Sequence, residues 1–303
     1  MAEPRSLNAG AKITLFVVAL LAVFTVGVGI GKLVGGGDTE TTETAAASHD
    51  EHAAMSSTPA GLAVATDGYE LSPITAPGTA GEAGRLEFTI TGPDGAPVTD
   101  FDTLHEKELH LIVVRADTGE YRHVHPTMAA DGTWSIDWTW PSGGSYRVFA
   151  DFDPSGESTQ LTLGRWFEVA GQYDPAPLPQ RVRTAEIDGY TVELAGDLTT
   201  GGGMLEFTVS RDGQPVTTLQ PYLGANGHLV ALRVGDLAYL HVHPEDDGGS
   251  GPVIAFHAQA PTSGTYRLFL DFQVDDVVRT AQFTIDATNT AAAAPMDHGG
   301  GHG

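Results

Sequence analysis

The sequence predicts an all-β protein, built as two tandem antiparallel β-sandwich domains behind one N-terminal transmembrane helix. Three observations carry this. Beyond residue 35 no apolar period of 3.6 persists, while Gly (38 residues) and Pro (18 residues) punctuate short runs of strand-forming side chains. Two long stretches repeat one another along the chain, each spanning about 100 residues, the size of a small sandwich. Residues 13 to 30 carry no charge, enough to cross a hydrocarbon core of roughly 30 Å as a helix.

The elements follow in order. Residues 1–12 hold Arg5 and Lys12, which favours a cytoplasmic N-terminus. Residues 13–34 form the expected single-pass helix, placing everything after it outside the cell membrane. A cleaved signal peptide and a secreted chain are the alternative, although no clear Ala-x-Ala site follows the apolar run. Residues 35–64 are Gly, Thr, Ser, Ala and acid, a composition that cannot build a core and predicts a disordered stalk. The repeats are expected at 65–170 and 184–287. Between them 171–183 contains Asp174-Pro-Ala-Pro-Leu-Pro179, read as a stiff spacer. Residues 288–303 form an Ala-rich tail without a core.

Composition removes several function classes. With 39 acidic against 15 basic residues the formal net charge is −24, and a phosphate backbone repels such a chain. Nucleic acid is therefore not an expected partner. The chain has no cysteine, which excludes disulfides, zinc–cysteine sites and thiol catalysis. No nucleophile motif such as Gly-x-Ser-x-Gly is present.

The repeat is explicit. Leu86-Glu-Phe-Thr-Ile90 recurs as Leu205-Glu-Phe-Thr-Val209, and Pro97-Val-Thr99 as Pro215-Val-Thr217. Tyr146-Arg-Val-Phe-Ala-Asp-Phe152 recurs as Tyr266-Arg-Leu-Phe-Leu-Asp-Phe272. Tyr146 and Tyr266 resemble corner tyrosines, a packing device. Trp134, Trp138, Trp140 and Trp166 read as core and surface aromatics of the first sandwich.

The chemistry lies in a duplicated His-Val-His-Pro, residues 123 to 126 and 241 to 244, each preceded at equal spacing by a strand opening with His110 or His228. In the second copy Gly235-Asp236 suits a two-residue hairpin turn. That turn pairs Leu232 with Tyr239, Val230 with His241 and His228 with His243. His241 and His243 then share a face, and His228 stands about 4.5–5.5 Å from His243 at Cβ. Carried back by the common offset, the same register gathers His110, His123 and His125. Three convergent imidazoles suit a transition ion, and the expectation is one site per repeat. A His-x-His on a strand also serves as a polar cap or hydrogen-bonding group, and that structural reading stays open. His105, Asp151, His257 and Asp271 are further candidates. The two aspartates are ligands or acceptors for imidazole N–H, or buried carboxylates pairing Arg147 and Arg267. His49, His52 and Met55 in the stalk, with Met296, His298 and His302 in the tail, tilt the metal from zinc toward copper.

Together, His110-Leu-Ile-Val-Val, His-Val-His-Pro, Asp131-Gly-Thr-Trp and Gly144-Ser-Tyr-Arg-Val-Phe-Ala-Asp-Phe resemble a class of bacterial membrane-anchored or secreted proteins linked with heavy-metal handling. The resemblance covers both repeats and implies an immunoglobulin-like sandwich. The chain is also similar in style to the periplasmic CopC copper carriers, β-sandwiches with histidine ligands. It departs from them in that their site uses the mature N-terminal histidine. The expected function is a non-enzymatic, extracytoplasmic buffer or carrier of a transition metal, copper before zinc, serving a membrane metal transporter. The rival is an immunoglobulin-like interaction or adhesion module with structural histidines. A cupin-type metalloenzyme fits less well, because the glutamate expected after His-x-His is absent after His125 and too close after His243.

Overall fold

The computed structural model describes residues 58–156, 160–240, 242–245 and 251–290, with His243 described by its backbone alone. The expected membrane helix at 13–34, the stalk up to residue 57, the tail from 291, His241 and the side chain of His243 lie outside the described residues. Among the described residues no helix is long and apolar enough to cross a membrane. The regular elements of the described residues are strands.

Each repeat is a two-layer sandwich. In the first, Leu161–Val169, Gly144–Pro154, Leu109–Arg115 and Arg122–Val124 lie side by side in one antiparallel sheet. The facing layer holds Ala83–Phe88, Trp134–Thr139 and Thr127–Met128, with a small sheet of Ala65–Thr66, Tyr69–Leu71 and Ile90–Thr91. The second repeat places Tyr239–Leu240, Gly227–Arg233, Gly264–Val274 and Val277–Ala287 in one sheet. Thr184–Ile187, Tyr190–Ala195, Gly203–Arg211, Val253–Ala258 and Val242–Pro244 form the other. Each sandwich closes on its own core. The corner tyrosines are in place: the Tyr146 and Tyr266 hydroxyls donate to the carbonyls of Ser142 and Thr262, at 3.0 and 2.9 Å. Trp134, Trp138 and Trp140 are buried, and Trp166 is exposed.

A third core joins the repeats. All seven residues of Leu109–Arg115 are buried. Strand alternation sends Leu109, Leu111 and Val113 into the first sandwich and Ile112 and Val114 out of it. Gly227–Arg233 does the same, turning Val230 and Leu232 outward. Phe149 and Phe269, from the middle of the duplicated Tyr-Arg-x-Phe-x-Asp-Phe strands, complete the layer, and all six are fully buried. Tyr121 of the first repeat stacks on Phe269 of the second with ring centroids 3.9 Å apart and planes at 5°. The apolar run His110-Leu-Ile-Val-Val is thus a strand covered on both faces, and the repeats share one compact unit, Ser56–Gly303.

Two expectations about the connections change. Residues 58–64, expected in the stalk, form a strap across both repeats. The Gly61 carbonyl accepts from Arg147 Nε and Nη2 at 3.2 and 2.6 Å, and the Ala60 carbonyl accepts from the Tyr239 amide at 2.9 Å. Glycine is required at 61: φ is +75°, and a Cβ there would stand 2.7 Å from the Phe149 ring. Composition rightly denies this segment a core, but buried donors on the repeats supply its order. Likewise the spacer is moored to the first repeat, where the Asp117 carboxylate accepts from the Ala176 amide at 2.9 Å and Arg115 lies over Tyr173. At the far end Thr288, expected in the tail, donates its amide to Leu198 at 3.0 Å.

Removing the Phe269 ring leaves a cavity in the shared layer, so Phe269→Ala is expected to cost about 3–5 kcal/mol. All four tryptophans lie in the first repeat. Their fluorescence in denaturant therefore reports on that repeat while the substitution sits in the second. A lowered tryptophan midpoint is the expected result, whereas an unchanged one would mean that the repeats unfold independently. A chain starting at residue 65 is expected to be less stable than one starting at 58, because Arg147 loses its carbonyl acceptor. Equal melting temperatures would remove the strap from the fold.

Candidate metal centre

At one end of the shared layer the outward-facing side chains change from apolar to imidazole. His110 precedes Ile112 and Val114 on the same strand face, and His228 precedes Val230 and Leu232. The two rings stack across the interface with centroids 5.1 Å apart and planes at 9°. The return strand pairs Ile112 with His123, the register expected from the sequence, which brings His123 and His125 to His110. The centroids of these two rings lie 5.2 and 4.9 Å from that of His110. His105 joins from a tight turn, 5.2 Å from His228 by centroids.

The hydrogen bonds set the direction of the lone pairs. His110 Nε2 is 2.9 Å from the Leu104 carbonyl, which only accepts, so this nitrogen carries the proton. His123 Nδ1 is 2.9 Å from Asp271 Oδ2, again an acceptor, so the proton sits there too. Both remaining lone pairs point inward, and His110 Nδ1 stands 2.9 Å from His123 Nε2. His125 Nε2 lies 3.2 Å from the same His110 nitrogen. Two facing lone pairs at this distance repel unless a cation, a proton or a metal ion, lies between them. Two nitrogens bound to one ion at about 2.0–2.1 Å are themselves roughly 3 Å apart. One ligand atom each from His110, His123 and His228 lies within 4.8 Å of the others.

Burial disfavours a proton carried by His110. It holds His110 down to about 3, helped by the neighbouring His123 and opposed by the Leu104 carbonyl. His125 is also held at about 3 by burial, with His123 and His110 adding to it. His228 is lowered well below the usual imidazole value, first by burial. These rings stay neutral at pH 7, the form that binds metal.

Asp271 crosses from the second repeat to orient a histidine of the first, and its other oxygen accepts from Thr280 Oγ1 at 2.6 Å. A carboxylate behind an imidazole is a common support for a metal ligand. Asp151, its counterpart, accepts from Gln160 at 2.9 Å, Thr162 at 3.0 Å and Tyr239 at 3.4 Å. Burial raises its carboxyl to about 6. The expected pairing of these aspartates with Arg147 and Arg267 does not form: Arg147 bonds to Gly61, and Arg267 to Phe283, Thr284 and Gln282.

The second hairpin departs from the expected site. Leu232 does pair with Tyr239, but Gly235-Asp236 belongs to a longer loop in which Leu237 takes a φ of 60°. After Leu240 the chain crosses to the other sheet, where His243 pairs with His257 and not with His228. The alternating pattern of Leu240-His-Val-His fits either sheet, and burial of Val242 in the second core selects the crossing. His257 is exposed on that outer sheet. The described candidate residues thus form one cluster with histidines from both repeats, while His241 and the side chain of His243 lie outside the described residues. The signal available in the sequence was the unbroken apolar run after His110 and His228, which marks a second buried face.

No curated protein matches the chain. Among solved structures, the adhesin FdeC of Escherichia coli shares 16% identity over 74% of this chain and 65% of its own, with a TM-score of 0.24. Invasin, a bacterial integrin-binding protein, shares 14% over 73% of this chain and 39% of its own, at 0.23. A titin immunoglobulin tandem shares 12% over 73% and 99%, at 0.20. The chain thus spans less than two thirds of the length of FdeC and of invasin. Superpositions this loose carry no argument about function. A family model described as a domain of unknown function, DUF8832, matches residues 63–170 and again 185–289, and the chain belongs to that family, with two copies of its domain.

Proposed function

We propose that this protein binds one divalent transition-metal ion in the histidine cluster between its repeats, as an extracytoplasmic, membrane-anchored buffer or carrier. The observation that carries this is the inward aim of the His110 and His123 lone pairs, fixed from behind by Leu104 and Asp271, with His228 within ligand reach. His125 is the fourth candidate nitrogen and His105 a fifth. An all-imidazole set suits Cu(II) and Zn(II), and copper stands higher in intrinsic affinity. The methionines of the two ends would serve Cu(I) instead, so they belong to a weaker, separate capture.

A surface groove of about 520 Å³ opens beside His125, lined also by Glu106, Lys107, Glu108 and Met128. A net charge of −24 raises the local concentration of cations. The anchor is inferred from the uncharged run at 13–30 and the flanking basic residues. A carrier so placed would exchange its ion with a membrane transporter, in the manner suggested by the distant likeness to CopC.

Calorimetric titration of the untagged chain with Cu(II) and Zn(II) tests this. The tightest phase is expected at one ion per chain. His123→Ala and His228→Ala should each weaken it at least tenfold, about 1.4 kcal/mol, while His257→Ala leaves it within about twofold. Failure of the wild type to bind either ion would sink the reading and leave the histidines as a structural network.

The lowered values of His110 and His125, about 3 each, set the pH dependence. The sequence alone suggests weakening below about pH 6, as for free imidazole with a pKa near 6.5. At His110 and His125 protons compete only at much lower pH, so these two ligands should stay as available at pH 5.5 as at pH 7. The same depression means that the unfolded chain binds more protons than the folded one. These rings therefore stabilise the metal-free fold above about 6.5 and progressively less as pH falls toward 3. Asp151, raised to about 6, works in the opposite sense over part of that range. Denaturation midpoints at pH 7.5, 6.5 and 5.5 are expected to fall with pH; a flat series would mean that the rings are protonated in the folded state.

A further inference from the structure

We propose that the ion clamps the two repeats together, so that metal occupancy and docking of the repeats form a single linked equilibrium. This rests on the metal-binding reading above. The ligands divide between the repeats: His110, His123 and His125 belong to the first, and His228 to the second. The division also reaches the support behind the ligands. Asp271 of the second repeat orients His123 of the first at 2.9 Å, through side chains almost wholly buried, 4% and 1% exposed respectively.

The cluster and the docking surface are parts of one face. His110, Ile112 and Val114 alternate along one strand, and His228, Val230 and Leu232 along its counterpart. Separation of the apolar layer therefore withdraws one ligand and releases another from its carboxylate. Undocked, the first repeat keeps His110, His123 and His125, with Asp271 withdrawn from the Nδ1 proton of His123. Affinity must then be lower in the undocked state, and by linkage the ion must favour docking by the same factor. The strap supplies a reporter, because the Tyr239 amide of the second repeat donates to Ala60, whose neighbour Gly61 is held by Arg147 of the first.

The test uses the full chain. Since it has no native cysteine, cysteines placed at the exposed positions Glu82 and Glu193 accept spin labels, one on each repeat. Zn(II) is the probe, being diamagnetic. Leu232→Asp puts a carboxylate in the shared layer, far from any ligand in its chemistry, and should broaden the inter-label distance distribution. The expected result is at least a tenfold loss of Zn(II) affinity in that variant, with zinc narrowing the distribution again. Affinity within twofold of wild type in the opened variant would overturn the clamp while leaving the metal site intact. Far-ultraviolet circular dichroism checks that both repeats of the variant stay folded. Should the variant not fold, hydrogen exchange in the wild type decides: zinc should slow exchange of the Tyr239 amide at least tenfold, and an unchanged rate overturns the proposal. A wild type that takes up no zinc or copper removes the metal site itself, a distinct result.

Discussion

The structure depends on two strands that are buried on both faces. Leu109–Arg115 and Gly227–Arg233 each belong to a sandwich core and to the layer between the sandwiches. A central strand of an isolated sandwich needs apolar side chains on one face only. Here the outward face carries Ile112, Val114, Val230 and Leu232, and the neighbouring strands add Phe149 and Phe269. Burying each of these relative to water is worth about 1.5–3 kcal/mol, so docking is part of the fold. The polar groups on that face must then find partners, because an unpaired buried charge costs several kcal/mol. Arg147 takes the strap carbonyl, Asp151 takes Gln160, Thr162 and Tyr239, and Asp271 takes Thr280 and His123. The strap and the histidine cluster are both consequences of closing this layer.

Much of the fold was legible because it depends on local pattern. Alternation, turn residues and the duplicated segments identify an all-β chain of two repeats, and the turn-derived register pairs Ile112 with His123 and Leu232 with Tyr239 as observed. Which face a residue occupies follows from period two. What covers that face does not, because Phe149 and Phe269 look the same in sequence whether they meet solvent, a partner or the other repeat. The crossing of Val242–Pro244 to the outer sheet was hidden for a related reason: His243 keeps its alternation in either sheet. The strap at 58–64 was missed because its order comes from donors on distant strands, and composition reports only its own lack of apolar groups.

The candidate site was legible as a set of residues and not as an assembly. His110, His123, His125 and His228 come together with His105 and Asp271, while His257 stays outside. The two copies have also diverged around it. His105 occupies the turn position held by Leu223 in the second repeat, and both residues adopt positive φ, 47° and 59°. The backbone device is therefore common to both repeats, and the imidazole is particular to the first.

This asymmetry bears on how many ions the cluster can take. His110 and His228 are equivalent positions of the repeat, and their rings meet at 5.1 Å. Two dications held by these two rings would stand roughly 5–10 Å apart, a repulsion on the order of 10 kcal/mol at an effective dielectric of 20. The Asp271 carboxylate is hydrogen-bonded to His123 of the cluster, and Asp151 is already committed to three donors. A single ion avoids that repulsion and draws on the ligands of both repeats. On the metal-binding reading proposed above, the electrostatics of the shared face thus favour one ion held between the repeats over one ion in each, and the relative placement of the repeats would then be part of the site.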